Sequence, residues 1–135
     1  MTEDLIRRRR EAIAIFKLGM KANAVGVHRT LGRPAKGKGW VQCVNSPAGI
    51  MCKPDKVRES IEHFRKSYEI LPDIAILNQI ALAYEMLGEL DTAAQYFVLM
   101  SEQAARPADS PAEQNINAVY LRAADVALQR LGRTP

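Results

Sequence analysis

The sequence predicts one all-α domain of antiparallel helical hairpins, interrupted by an irregular or β-hairpin insertion. Apolar residues recur at three- and four-residue spacing in five stretches, as they do on one face of a helix. The breaks within 55–104 are so short that neighbouring helices must fold back on one another. Glycine and proline instead concentrate in 25–54, where no helical periodicity survives. The length of 135 residues suits a single domain, 1–135, with a substantial core.

The helices are expected at about 3–24, 55–71, 74–87, 90–105 and 111–131, and 25–54 forms the insertion. In the first helix, Ile13, Phe16, Met20 and Ala24 form one apolar face. Pro72 stops the second helix, because the residue before a proline avoids the α region. Gly88 ends the third helix and Gly132 ends the last.

The start of the last helix is marked by three residues in Ser110-Pro111-Ala112-Glu113. Serine caps the helix, proline suits its first turn, and Glu113 reaches back to complete a capping box. This helix is expected to turn Ala123, Ala124, Ala127 and Leu128 toward the core, together with Val119 or Tyr120.

Residues 74–107 resemble one tetratricopeptide repeat (TPR), a pair of helices in about 34 residues. The residues that carry the resemblance are Leu77, Ile80, Ala81, Tyr84, Gly88, Asp91, Ala93, Phe97 and Pro107. Residues 57–72 resemble the second helix of a preceding repeat, and the last helix resembles the first helix of a third. An ordinary helical bundle with the same spacing is the alternative.

The resemblance implies a superhelical stack of hairpins with a concave groove that the first helix of each pair lines. The groove residues that it implies are Phe16, Met20, Asn23, Asn78, Leu82, Glu85 and Met86. A scaffold or adaptor that binds a partner peptide or helix there, helped by the insertion, is the function that the resemblance favours. The family's clamp for a C-terminal carboxylate is not expected, because apolar residues stand at the corresponding positions.

Charge supports an alternative function, the binding of RNA or another polyanion. Residues 1–40 hold ten Lys or Arg against three acids, a net charge of +7, whereas residues 41–135 have a net charge of −3. The residues of this basic patch are Arg7, Arg8, Arg9, Arg10, Arg29, Arg33, Lys36 and Lys38. For the arginine run, a solvated helix end is the simpler interpretation, since aromatic residues for base stacking are missing nearby.

The two cysteines, Cys43 and Cys52, flank turn-forming residues in the second half of the insertion, where a β-hairpin would bring them together. Three states stay open: free thiols, a disulfide, or a metal site completed by His28 and His63. The metal site is the weakest, because the cysteine spacing is unlike that of zinc sites. The sequence predicts a cytoplasmic protein. The alternative is a periplasmic or secreted one, if a signal peptide has been removed and the cysteines form a disulfide.

No arrangement of residues indicates catalysis, so the sequence predicts a protein that is not an enzyme, without catalytic residues, metal or cofactor. No apolar run reaches the ~18–20 residues of a membrane span, and no apolar segment of a signal peptide follows the amino-terminal charges. A short stack leaves apolar faces at its ends. The expected partners are therefore another protein or peptide, or a second copy of this chain.

Overall fold

A computed structural model describes residues 2–29 and 32–133, so Thr30 and Leu31 of the predicted insertion lie outside the described residues. Within the described part the chain is mainly helical, as predicted, and each helix bound lies within two residues of its predicted position. The helices are α1 (Glu3–Gly26), α2 (Pro54–Ile70), α3 (Ile74–Met86), α4 (Leu90–Ala104) and α5 (Pro111–Arg130). The strands are β1 (Val27–His28), β2 (Val41–Gln42) and β3 (Met51–Cys52).

Polar caps fix where α1, α3 and α5 begin. The hydroxyl of Thr2 accepts a hydrogen bond from the Leu5 amide, and the Asp73 carboxylate accepts one from the Ala75 amide. The Ser110 hydroxyl accepts from the Glu113 amide at 3.1 Å, while the Glu113 carboxylate accepts from the Asp109 amide at 2.9 Å. Side-chain oxygens thus pair with amides that a helix start leaves unbonded. The predicted start of α5 is confirmed.

Helices α1 and α2 pack as an antiparallel hairpin through small residues. The hydroxyl of Ser67 donates to the carbonyl of Ala12 at 2.7 Å, and Gly19 lies directly against the ring of Phe64. Ala12, Gly19, Ala22, Asn23 and Gly26 are the buried residues of α1, whereas Ile13 and Met20 are exposed. The apolar face expected from Ile13 and Met20 is therefore not the buried one. The close approach of α2 leaves room only for small side chains.

In the described part of the insertion, three strands of two residues each form an antiparallel sheet with the strand order β1-β3-β2. The predicted hairpin of β2 and β3 is confirmed, and β1 is an addition that the sequence did not indicate. Cys52 on the central strand lies opposite both Val27 and Val41. Cys43 and Cys52 form a disulfide and are almost fully buried. Of the three states considered for Cys43 and Cys52, the structure therefore has the disulfide.

Two apolar clusters fill the core, and α3 contributes to both. Leu77 and Ala81 pack with α4 and α5, around Phe97 and Met100. Ile76 and Ile80 pack on another side of α3, with Phe64, Ile61 and the disulfide. In α5, Ala124, Ala127 and Leu128 are buried as expected. Of the two alternatives, Tyr120 packs against the core and Val119 is 65% exposed. Among the described helices, none combines the length and apolar character that crossing a membrane requires.

Candidate binding groove

A cavity of about 330 Å³ opens where α1, α3, α5 and the insertion meet. Four separate segments of the chain line it, so its walls exist only in the folded protein. We call this cavity the central groove. Its lining residues are Asn23, Arg29, Val44, Asn45, Ser46, Gln79, Leu82, Glu85, Met86 and Arg130.

Glu85 organises the charged wall of the central groove. Its side chain is 5% exposed, and its carboxylate accepts two hydrogen bonds from the Arg130 guanidinium, each 2.7 Å long. Asn45 of the insertion donates a third at 3.1 Å to the same carboxylate. The bonds to Glu85 raise the pKa of Arg130, and partial burial opposes this rise. The result is one fixed junction of α3, α5 and the insertion, since the bidentate pair sets orientation as well as distance.

The insertion is attached to the end of α3 by its backbone. The amide of Val44 donates to the carbonyl of Met86 at 2.9 Å, which gives a bonding partner to a carbonyl at the helix end. Beside it, Gly88 has φ +81°, and a Cβ there would lie 3.0 Å from the side chain of Val44. The buried disulfide closes the hairpin just before this turn. The turn over 44–46 is thus attached to the end of α3 and forms one wall of the central groove.

The chemistry of the central groove is mixed. Leu82, Met86 and Val44 offer apolar surface, with Leu82 and Met86 half-buried. Asn23 is 7% exposed, and its side-chain oxygen accepts a hydrogen bond of 3.3 Å from the guanidinium of Arg29. Gln79 adds an amide from α3. Apolar surface beside amides and an arginine can hold a peptide side chain and bond its backbone, as small-molecule and peptide sites do.

The structure brings together some of the predicted groove residues. Asn23, Leu82, Glu85 and Met86 all line the central groove. Three others do not line it: Asn78, Met20, and Phe16, whose ring packs on Phe64 with centroids 5.4 Å apart. Sequence reasoning did not place Gln79, Arg130 or the 44–46 turn there. One signal for Arg130 was available, since Glu85 is the single charge in α3 and a lone acid on an apolar helix needs a basic partner.

The predicted basic patch is divided between two places. Arg7, Arg8, Arg9 and Arg10 are all exposed near the start of α1. Arg7 pairs with Asp4, and Arg8 donates to the carbonyl of Ile70 at the end of α2. Arg29, Arg33, Lys36 and Lys38 follow the other end of α1. At 1.5 Å per residue, the helix between Arg10 and Gly26 separates the two groups by on the order of 25 Å.

The histidines take separate positions. His28 donates from its ring to the carbonyl of Arg33 at 2.6 Å and lies edge-on to Trp40. His63 lies on α2 beside Leu18 and Val25 of α1. Among residues 2–29 and 32–133, no three His, Cys, Asp or Glu side chains are grouped closely enough to hold a metal ion.

Comparisons with protein-family models, curated proteins and solved structures find no match to this chain. The TPR resemblance therefore depends on the sequence residues named above.

Proposed function

We propose that this chain is a non-catalytic adaptor that binds a partner peptide or helix in the central groove. The observation that carries the proposal is the convergence of α1, α3, α5 and the insertion on one partly apolar cavity. A TPR-like stack, in which the first helix of each pair lines the concave side, accounts for the presence of α1, α3 and α5 in one wall. In this proposal Leu82 and Met86 contact an apolar side chain of the partner, while Asn23 and Gln79 bond its backbone.

The fixed geometry of the groove supports the proposal. Binding costs less free energy when the site is already formed, because fewer side chains and loops must be ordered. Here the Glu85–Arg130 pair and the buried disulfide hold the two sides in place before any partner arrives. The insertion then adds specificity, since the 44–46 turn narrows one side of the groove.

A displayed peptide library tests the proposal. Peptides are selected on the wild-type protein, and their affinities are then measured for Leu82→Glu, Met86→Glu and the matched control Val119→Glu. Val119 is an exposed apolar residue of α5 outside the groove. We expect each groove variant to lose at least about tenfold in affinity, because a buried contact is replaced by a desolvated charge. Equal affinities for all four proteins would contradict a groove site.

Polyanion binding is the second candidate, and the exposure of Arg7, Arg8, Arg9 and Arg10 on one helix supports it. A pull-down from lysate of the source organism, at two salt concentrations and with and without nuclease, separates the candidates. Protein capture that survives nuclease and high salt but fails with Leu82→Glu favours the adaptor. Recovery of nucleic acid that disappears at high salt and with Arg9→Glu/Arg10→Glu favours polyanion binding.

We also propose that the protein works in an oxidising compartment, in place of the cytoplasm that the sequence predicts. The support is the buried Cys43–Cys52 disulfide, since disulfides persist mainly outside reducing compartments. Rapid acid precipitation of intact cells of the source organism, followed by maleimide labelling of the denatured, unreduced protein and measurement of its mass, tests this. No added maleimide is expected on either cysteine. Two added maleimides would place the protein in a reducing compartment.

A further inference from the structure

A second cavity, of about 850 Å³, lies on the outer side of α4 and the end of α5. Val98 and Leu99 of α4 are 43% and 48% exposed there, and Leu128 of α5 lies beside them. Asp91, Glu102 and Arg133 stand at the edges of the same surface, and Asp91 forms a salt bridge with Arg133. We call these residues the α4 groove. It is separate from the central groove, and the two have no lining residue in common.

A second exposed apolar surface lies on α1. Leu18 and Val25 are 51% and 53% exposed, seven residues apart and hence on one helix face. Lys17 and Lys21 lie next to them and are also exposed. We call these four residues the α1 stripe. Part of it faces a shallow cavity shared with Lys56, Glu59 and His63 of α2, so a neighbouring molecule can reach it.

Charge distinguishes the two surfaces. The α1 stripe holds Lys17 and Lys21 and no acid, a net charge of +2. The lining of the α4 groove holds Asp91, Glu102 and Arg133, a net charge of −1, and Asp91 is paired with Arg133, so Glu102 is the acid that a partner can meet. Pairing either surface with its own copy would place like charges face to face, which is repulsive. Pairing one surface with the other brings opposite charges together around two apolar strips.

We propose that copies of this chain associate head to tail, with the α1 stripe of one copy in the α4 groove of the next. Leu18 and Val25 then cover Val98 and Leu99, while Lys17 and Lys21 face Glu102. Such an interface joins two different surfaces, so each dimer keeps one free stripe and one free groove. It therefore continues to higher species, which close as rings or stay open as chains.

A complementation experiment tests the proposal. One variant blocks the stripe, Leu18→Glu/Val25→Glu, and the other blocks the groove, Val98→Glu/Leu99→Glu. Light scattering after size exclusion measures the mass of each species. We expect wild-type species larger than a dimer as concentration rises, and a monomer for each variant alone. A 1:1 mixture of the variants has one intact stripe and one intact groove per pair, so it forms a dimer and nothing larger.

Three outcomes would overturn the proposal. The first is a wild-type monomer at every concentration up to about 1 mM. The second is a stripe variant that still dimerises while the groove variant does not, which indicates two grooves facing each other. The third is a mixture of folded variants that stays monomeric.

Variants limited to exposed charges keep the test valid if an apolar site does not tolerate glutamate. Lys17→Glu/Lys21→Glu is expected to weaken wild-type association at least about tenfold, and added salt is expected to weaken it as well. Adding Glu102→Lys to the same chain restores opposite charges and should recover most of the association. Lack of recovery would contradict the pairing of these two surfaces.

Discussion

At the scale of single residues, Glu85 is the position on which distant segments converge. Its carboxylate is removed from water, and burial of a charge is tolerated only where partners replace the lost hydration. Arg130 supplies two hydrogen bonds and Asn45 a third, from positions 45 and 40 residues away along the chain. The junction therefore forms only when α3, α5 and the insertion are all in place.

The first prediction concerns the Glu85–Arg130 pair. We expect Glu85→Gln to lower the free energy of unfolding by about 1–2 kcal/mol, less than for a fully buried pair because the Arg130 side chain is 39% exposed and keeps part of its hydration. A double-mutant cycle with Arg130→Met, followed by urea denaturation, should give a coupling energy of about 1 kcal/mol. The exposed pair Lys56–Glu59 is the control, for which we expect under about 0.5 kcal/mol. Equal coupling in both pairs would contradict the role of burial.

The second prediction concerns Tyr84, whose ring stacks on Tyr96 with centroids 5.6 Å apart. Burial, and then the neighbouring Tyr96, raises the pKa of Tyr84 above its ordinary value of about 10. The folded protein keeps this phenol proton to higher pH than the unfolded chain. The stabilisation that the raised pKa of Tyr84 gives to the folded protein is therefore complete below about pH 10. It is lost as the pH rises through the higher pKa that Tyr84 has in the folded state.

Tyr84→Phe keeps the stacked ring and removes this titration. We expect the free energy of unfolding to fall less steeply above pH 10 in the variant than in the wild type, as measured by urea denaturation at a series of pH values. Below pH 9 the difference between the two proteins should be constant, which serves as the internal control. Parallel curves throughout the alkaline range would show that Tyr84 titrates alike in both states.

Some residue positions could be predicted from the sequence and others could not. The caps of α5 were predictable, because Ser110, Pro111 and Glu113 act within one turn of each other. The buried face of α1 was not, because large apolar residues normally mark a core. Here Gly19 and Ala12 face α2 at close range and Ile13 stays exposed. Only the neighbouring helix determines which face has room.

At the scale of elements, the insertion also combines features that the sequence predicts with features that it does not. The β2–β3 hairpin was predictable, since turn residues stand between two short apolar runs. Strand β1 consists of two residues and pairs with a strand that begins more than twenty residues later, so no local pattern marks it. Attachment of Val44 to the end of α3 is equally invisible in the sequence. The insertion adds a wall to the central groove through contacts of this long-range kind.

The third prediction compares the glycines that end α3 and α5. Gly88 and Gly132 have φ +81° and +73°, and the same backbone hydrogen bond follows each. Alanine at either position costs about 1 kcal/mol from the left-handed backbone alone. At Gly132 a Cβ meets nothing within 4 Å, whereas at Gly88 it lies 3.0 Å from Val44.

We therefore expect Gly88→Ala to destabilise the protein by roughly 1 kcal/mol more than Gly132→Ala, because Val44 must move and its bond to Met86 weakens. Urea denaturation of both variants gives the comparison, with Gly132→Ala as the matched control. If the Val44 amide hydrogen exchanges faster in Gly88→Ala but not in Gly132→Ala, the additional loss of stability arises at Val44. Equal losses of stability in the two variants would mean that the contact with Val44 adds no cost to a side chain at position 88.

At the scale of the whole molecule, α3 joins the two halves of the core. Leu77 belongs to the cluster with α4 and α5, and Ile80, three residues on, belongs to the cluster with α1, α2 and the disulfide. The order and bounds of the helices were predictable from periodicity. The central groove as a whole was not, since Asn23, Glu85 and Arg130 meet only through this stacking. One helix that both clusters share should couple their stabilities.

The fourth prediction is that the two clusters unfold together. Trp40 is the single tryptophan and lies in the insertion, where its ring donates to the carbonyl of Lys36, so its fluorescence reports one half of the molecule. Far-ultraviolet circular dichroism reports all the helices. Leu77 lies in the other half. We expect Leu77→Ala to lower the free energy of unfolding by about 2–5 kcal/mol, with the same value from both signals.

Ile80→Ala is the matched variant on the tryptophan side. If Leu77→Ala shifts the helix signal and leaves the Trp40 transition unchanged, the halves unfold separately, and α3 does not couple the groove wall at α5 to the wall at the insertion.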